Sequence, residues 1–134
     1  MLPNIIQYPI VGFAILRAGY ILVNVNPLYT QRELYHQLQD SGAQVLIGLN
    51  ATLGQLQHLE QCHDLTHLIT TSPTDIVLNT STQPNISTLA SHQQAFDLLS
   101  ILHHTESAEL KIPEQQQQDT VILQYTGGTT GLSK

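Results

Sequence analysis

The stretch Tyr20-Ile21-Leu22-Val23-Asn24-Val25, closed by Asn26-Pro27 and followed by Thr30-Gln31-Arg32-Glu33, decides the fold class. Its first six residues are strong β-formers with apolar side chains on both faces, the pattern of a strand buried in a parallel sheet. Asn26-Pro27 ends the strand. Thr30 and Glu33 then stand at the spacing of a capping box, with Thr30 as N-cap and Glu33 at N3. The helix they open carries Leu34 and Leu38 on one face and stops at Ser41-Gly42.

The same alternation continues downstream. Gln44-Val45-Leu46-Ile47-Gly48-Leu49 reads as a second buried strand. Asn50 is placed to cap a third helix, with Leu53, Leu56 and Leu59 at helical spacing. Thr66-His67-Leu68-Ile69-Thr70 reads as a third strand. Short apolar strands alternating with helices predict βαβ units: an α/β fold with a mostly parallel sheet and helices on both faces.

Upstream, Ile5 to Ala18 predicts a nearly all-apolar helix, with Asn4 as N-cap and Gly19 as the stop just past its end. Pro9 removes one helical hydrogen bond, so a kink is expected near Ile5. A helix apolar all round belongs beneath other layers. Residues 5–25 are not read as a membrane span, because Gln7, Pro9, Arg17 and Asn24 interrupt them. No strand precedes this first helix, although a right-handed βαβ unit needs one. The expectation is a partial domain over residues 1–134, truncated at both ends.

From residue 72 to 118 the alternation fails. This stretch is expected to be a variable polar excursion over the surface, with Ile76-Val77-Leu78 as a short strand and Gln93 to His104 as a helix bearing Phe96, Leu99 and Leu102. Composition narrows the partners. Four basic residues against ten acidic ones give a net charge of −6, and charged residues make up only 10% of the chain. Arg17, Arg32, Lys111 and Lys134 are scattered, which argues against nucleic acid as a partner. A single cysteine, Cys62, excludes a disulfide framework within the chain and fits a reducing, cytoplasmic compartment. His58, Cys62, His63 and His67 could be ligands of a metal or simply a polar helix end beside a strand; the second reading is preferred, because His67 must follow the pleat of its strand. His103-His104 reads as a polar helix end, and Tyr20, Tyr29, Tyr35 and Tyr125 as packed residues with hydrogen-bonded tips.

The last residues carry the chemistry. Thr120-Val121-Ile122-Leu123-Gln124-Tyr125 predicts a strand, and Thr126-Gly127-Gly128-Thr129-Thr130-Gly131-Leu132-Ser133-Lys134 comes at once after it. Glycines let backbone N–H groups turn toward one point and a ligand approach closely. Threonine hydroxyls add donors, and a lysine adds a positive charge. The combination suits a polyphosphate. The spacing is neither that of a Walker A loop nor of G-x-G-x-x-G. A flexible terminal tail of small polar residues is the other reading that composition allows.

Tyr125 to Lys134 resembles the AMP-binding signature of the adenylate-forming superfamily. Met1-Leu2-Pro3-Asn4, Gln7-Tyr8-Pro9, Gly12 to Gly19, and Val23-Asn24-Val25-Asn26-Pro27-Leu28-Tyr29-Thr30 with Arg32-Glu33-Leu34 resemble the bacterial long-chain fatty acyl-CoA ligases. The resemblance covers residues 1–49 and 119–134, in the family's order. It implies that residues 1–134 are a partial AMP-binding (adenylation) domain, and it implies a two-step reaction. ATP and a fatty acid give an acyl-adenylate and pyrophosphate, with Mg²⁺ assisting, and coenzyme A then displaces AMP. By the same resemblance Tyr125, Thr126, Gly127, Gly128, Thr129, Thr130, Gly131 and Lys134 would bind the nucleotide, with Thr126 to Thr130 on the β and γ phosphates and Lys134 as an added charge. Ser133 departs from the proline common in the superfamily. The family's acid tunnel, adenine pocket, acidic residues and adenylation lysine lie beyond this loop. The resemblance therefore implies no catalytic residue in this chain and no activity for it alone. Another acid-adenylating enzyme, or a non-catalytic remnant acting as an interaction module, are the alternatives. A homodimer and peripheral attachment at the inner face of the membrane stay open for the parent enzyme.

Overall fold

The computed structural model describes residues 1–86, 89–104, 110 and 112–126. Helix α1 (Gln7–Arg17) leads to strand β1 (Leu22–Asn24), then α2 (Gln31–Ser41), β2 (Val45–Leu49) and a single helical turn α3 (Asn50–Leu53). A 3₁₀ turn (Leu59–Gln61) precedes β3 (His67–Thr71), α4 (Asp75–Leu78), β4 (Gln94–Asp97), α5 (Leu98–His104) and β5 (Ile122–Gln124). The strands form two sheets, β1-β5 and β2-β3-β4, and every pairing is parallel. The α/β class and the parallel sheet match the sequence expectation.

The pleat of β2 and β3 sends alternate residues to opposite faces. Leu46 and Leu68 point to one face, where they pack with Leu34 and Leu38 of α2 and with Leu53, Leu56, Leu59, Cys62 and Leu65. Ile47, Leu49 and Ile69 point to the other, where they meet Leu2, Val11 of α1 and Leu98 of α5. Two helical layers thus cover both faces, so both carry apolar side chains, and the buried hydroxyls of Thr70 and Thr71 in β3 donate to the Phe96 carbonyl and to Asp75 Oδ2. Leu34, Leu53, Leu59, Leu65 and Leu68 are all within 1% of full burial. Complete burial of a leucine contributes about 1.5–3 kcal/mol, so these five dominate the stability of the layer.

Helix ends obey local chemistry. In α2 the Thr30 hydroxyl accepts from the Glu33 N–H while the Glu33 carboxylate accepts from the Thr30 N–H, the reciprocal capping box the spacing calls for. Gly42 ends the helix at φ 62°, a left-handed conformation in which glycine carries no Cβ penalty. Helix α1 ends in a Schellman motif: Gly19 sits at φ 78°, its N–H donates to Leu16, and the Tyr20 N–H donates to Ile15.

Four local expectations are corrected. Helix α1 starts at Gln7 rather than Ile5, with Ile6 and not Asn4 at the N-cap. Pro9 then lies in the first turn, where its missing N–H has no intrahelical partner to lose, and no kink is required of it. The helix buries Gln7, Val11 and Gly12 and leaves Ile6, Ile10 and Phe13 exposed, because only one of its sides is packed among the described residues. The third helix shrinks to one turn. Asn50 does not cap it; its amide donates to the Gln83 carbonyl and its Oδ1 accepts from the Asn85 N–H. Leu53, Leu56 and Leu59 reach the core all the same, from a turn, a loop and a 3₁₀ segment.

Within residues 72–118, Ile76-Val77-Leu78 belongs to the short helix α4 and not to a strand. Residues 94–97 form β4, the third strand of the larger sheet, where a helix over Gln93 to His104 is expected from the spacing of Phe96, Leu99 and Leu102. Asp97 decides the break. Its Oδ2 accepts from the Ser100 N–H at 2.8 Å, the geometry of an N-cap bond, so the helix begins only at Leu98. Tyr20 is exposed rather than packed.

Candidate functional site

Ligands of parallel α/β sheets bind beyond the carboxyl ends of the strands. In the smaller sheet β1 and β5 run side by side in register, with Leu22 opposite Ile122 and Asn24 opposite Gln124. Their carboxyl ends therefore bring Asn24, Gln124, Tyr125 and Thr126 to one edge. Side chains tie this edge together. Asn24 Nδ2 donates to Gln124 Oε1 at 2.8 Å, and Asn24 Oδ1 accepts from the Tyr8 hydroxyl at 2.9 Å. The buried Gln37 of α2 donates its Nε2 to the Asn24 carbonyl at 2.8 Å. The strand end is thereby bonded to both flanking helices.

Tyr125, the residue after β5, turns toward α2 and donates its hydroxyl to Asp40 Oδ2 at 2.5 Å. Burial pushes its phenol up, and the hydrogen bond and the charge of Asp40 push it further, to about 12. At neutral pH it is a fixed donor. Thr126 is exposed at the start of the glycine-threonine run. Gly127, Gly128, Thr129, Thr130, Gly131 and Lys134 lie outside the described residues. Asn24-Val25-Asn26-Pro27 makes a strand end and a turn, in which Asn26 Oδ1 accepts from the Leu28 N–H at 2.9 Å.

Along the outer side of α2 runs an open groove of about 860 Å³, lined by Arg32, Tyr35, His36, Asp40, His58 and glutamine amides. Asp40 thus stands where this groove meets the strand end. Sequence reasoning missed Asp40 and Gln124 at this strand end, and read Asn24-Val25-Asn26-Pro27 as a strand end and helix entry in preference to a ligand loop. A signal existed for Asp40: it sits in the last turn of α2, where the helix dipole disfavours a carboxylate, and no basic residue accompanies it there. The tetrad His58, Cys62, His63 and His67 loses its helical spacing, since His58 precedes a 3₁₀ turn and Cys62 ends it, buried in the leucine core. No three carboxylate, imidazole or thiol groups among the described residues converge to hold a metal ion.

A model of the AMP-binding enzyme family matches residues 1–134, the whole chain. The chain belongs to the AMP-binding enzyme family. Among its relatives is a protein of Salmonella typhimurium named long-chain-fatty-acid–CoA ligase, 39% identical over 144 aligned positions that take in 100% of this chain and 26% of the relative. Ligases of the same name from Escherichia coli O157:H7 and Haemophilus influenzae are 38% and 37% identical, again over 100% of this chain and over 26% and 25% of their own length. The chain thus spans about a quarter of the length of the curated relatives it matches. No solved structure matches it significantly. Among the described residues no helix is long and apolar enough to cross a membrane.

Proposed function

We propose that this chain is part of the adenylation domain of an ATP-dependent long-chain fatty acid–CoA ligase, and that the run Tyr125 to Lys134 is its phosphate-binding segment. The observation that carries the reading is the position of that run: it leaves the carboxyl end of a parallel strand, where α/β folds bind nucleotides. The likeness along the whole chain to proteins named long-chain-fatty-acid–CoA ligase supports the choice of acid.

In this reading Thr126 to Thr130 donate to the β and γ phosphates of ATP, and Lys134 supplies a further positive charge. Fixed donors of this kind act by positioning the phosphates and neutralising their charge as pyrophosphate departs. Coenzyme A is the acceptor in the second step. Mg²⁺ belongs to the proposed reaction as the companion of ATP; the described residues offer no carboxylate cluster to hold it. The isolated chain, holding a quarter of the relatives' length, is not expected to turn over. The full enzyme is proposed to be cytoplasmic. Light scattering tests whether it is a homodimer, and vesicle flotation whether it associates peripherally with membranes.

The test is acid-dependent ATP–pyrophosphate exchange, run on this chain and on the full product of its gene, with oleate, benzoate and acetate. Exchange with oleate in the full product supports the fatty acyl ligase. Exchange with benzoate or acetate instead moves the reading to another acid-adenylating enzyme. A folded full product that exchanges with none of them overturns the enzymatic reading and leaves an interaction module.

A further inference from the structure

At Asp40 local preference and tertiary role conflict. A carboxylate in the last turn of a helix faces the negative end of the dipole, and α2 has no basic residue there to offset it. Asp40 is also exposed, so it contributes no buried packing that would explain its presence. Positions that break a local rule without a packing gain are the ones to search for a functional reason.

The one described bond of its side chain is to Tyr125, eighty-five residues later, at 2.5 Å. A charged acceptor makes this a strong hydrogen bond. The helix that carries Asp40 is rigidly mounted. Its start is fixed by the Thr30–Glu33 capping box, its end by Gly42, and its inner face by the buried Leu34, Gln37 and Leu38. Gln37 further ties it to the Asn24 carbonyl, and Asn24 in turn holds Gln124, the neighbour of Tyr125. Two independent ties therefore act on consecutive residues where the chain leaves β5.

We infer that Asp40 is a positioning residue for the nucleotide: acting through Tyr125, it sets the direction in which Thr126 leaves the strand. The inference rests on the reading of Tyr125 to Lys134 as a phosphate-binding segment. Asp40 itself touches no substrate. Its carboxylate oxygen holds the Tyr125 hydroxyl at α2, so the chain reaches Thr126 from a fixed point. Such preorganisation acts on binding and reaction of ATP, and leaves the fatty acid untouched.

The test uses the full gene product with Asp40→Ala, Asp40→Asn, Tyr125→Phe and the double variant Asp40→Ala/Tyr125→Phe. Asp40→Ala and Tyr125→Phe are each expected to raise KM for ATP about tenfold, the scale of one hydrogen bond to a charged acceptor. The double variant should be no worse than either single one, because the two residues act as a unit. Asp40→Asn keeps an acceptor oxygen without the charge and should recover part of the loss. KM for the acid should stay unchanged. Asp40→Ala should change thermal stability little, since the lost bond to Tyr125 is offset by relief of the dipole conflict, and should lower the Tyr125 phenol from about 12 while burial keeps it raised. A fall in stability with KM for ATP unchanged overturns the positioning role, as do additive losses in the double variant. A wild type that shows no exchange with any acid overturns the phosphate-binding reading itself and this inference with it; a wild type that exchanges, with variants that match it, overturns this inference alone.

Discussion

Asn24 and Gln124 stand one hundred residues apart in the chain and face each other across β1 and β5, joined by a 2.8 Å bond from Asn24 Nδ2 to Gln124 Oε1. The pair closes the small sheet at its carboxyl edge. Gln124→Leu should cost about 1 kcal/mol, the net worth of one such bond, and Asn24→Leu more, since it also loses the bond from the Tyr8 hydroxyl. A double-mutant cycle by chemical denaturation should return a coupling of about 0.5–1 kcal/mol. A coupling of zero would show that the strands pair without it.

Leu68 is fully buried in β3 and packs with the α2 and α3 leucines. Leu68→Ala removes several methyl and methylene contacts and leaves a hole that rigid neighbours cannot close. The expected loss is about 2–5 kcal/mol. It should appear as a lower urea midpoint at unchanged slope, since the surface exposed on unfolding is the same.

Gly54 meets the backbone of Asn85 at close quarters. A Cβ there would lie 2.7 Å from the Asn85 carbonyl oxygen and 3.0 Å from that of Asn50, both backbone atoms that cannot swing away. Gly54→Ala should therefore separate residues 83–85 from α3 and lose the two Asn50 bonds to them. Hydrogen exchange should show faster exchange at the Asn85 N–H, which donates to Asn50 Oδ1. Unaltered protection there would refute the close contact.

Asp97 links stability to pH. Burial pushes its carboxyl up, but bonds from the Ser81 hydroxyl and from Ser100 outweigh this and hold it below its ordinary 3.8. A carboxyl whose value is depressed on folding stabilises the fold above its unfolded value and loses that contribution as pH falls through the folded one. Acidification below about 3.8 should thus destabilise the wild type more steeply than Asp97→Asn. Thermal melts over a pH series decide; parallel curves would remove Asp97 from the acid response.

Much of the architecture is legible in the sequence because its signals are local. The capping box Thr30–Glu33, the stops at Gly19 and Gly42, and the apolar runs at residues 20–25 and 45–49 each arise from the chemistry of a few neighbouring residues. Where the sequence misleads, a longer-range partner wins. Asn50 has the right neighbours to cap a helix, yet its amide is taken by Gln83 and Asn85. The leucines at 53, 56 and 59 keep helical spacing but are held by burial rather than by a helix. The run from Gln93 to His104 mixes a strand and a helix because β3 offers an open edge to residues 94–97, and Asp97 then caps α5.

The sequence by itself determined the α/β class, the parallel strands and the place of the glycine-threonine run directly after β5, since periodicity and caps act over one or two turns. Only the tertiary structure decided that Asp40 meets Tyr125 and that Asn24 meets Gln124. Those contacts close separations of eighty-five and one hundred residues. Such separations are bridged by the packing of α2 and the pairing of β1 with β5, and no local pattern encodes them.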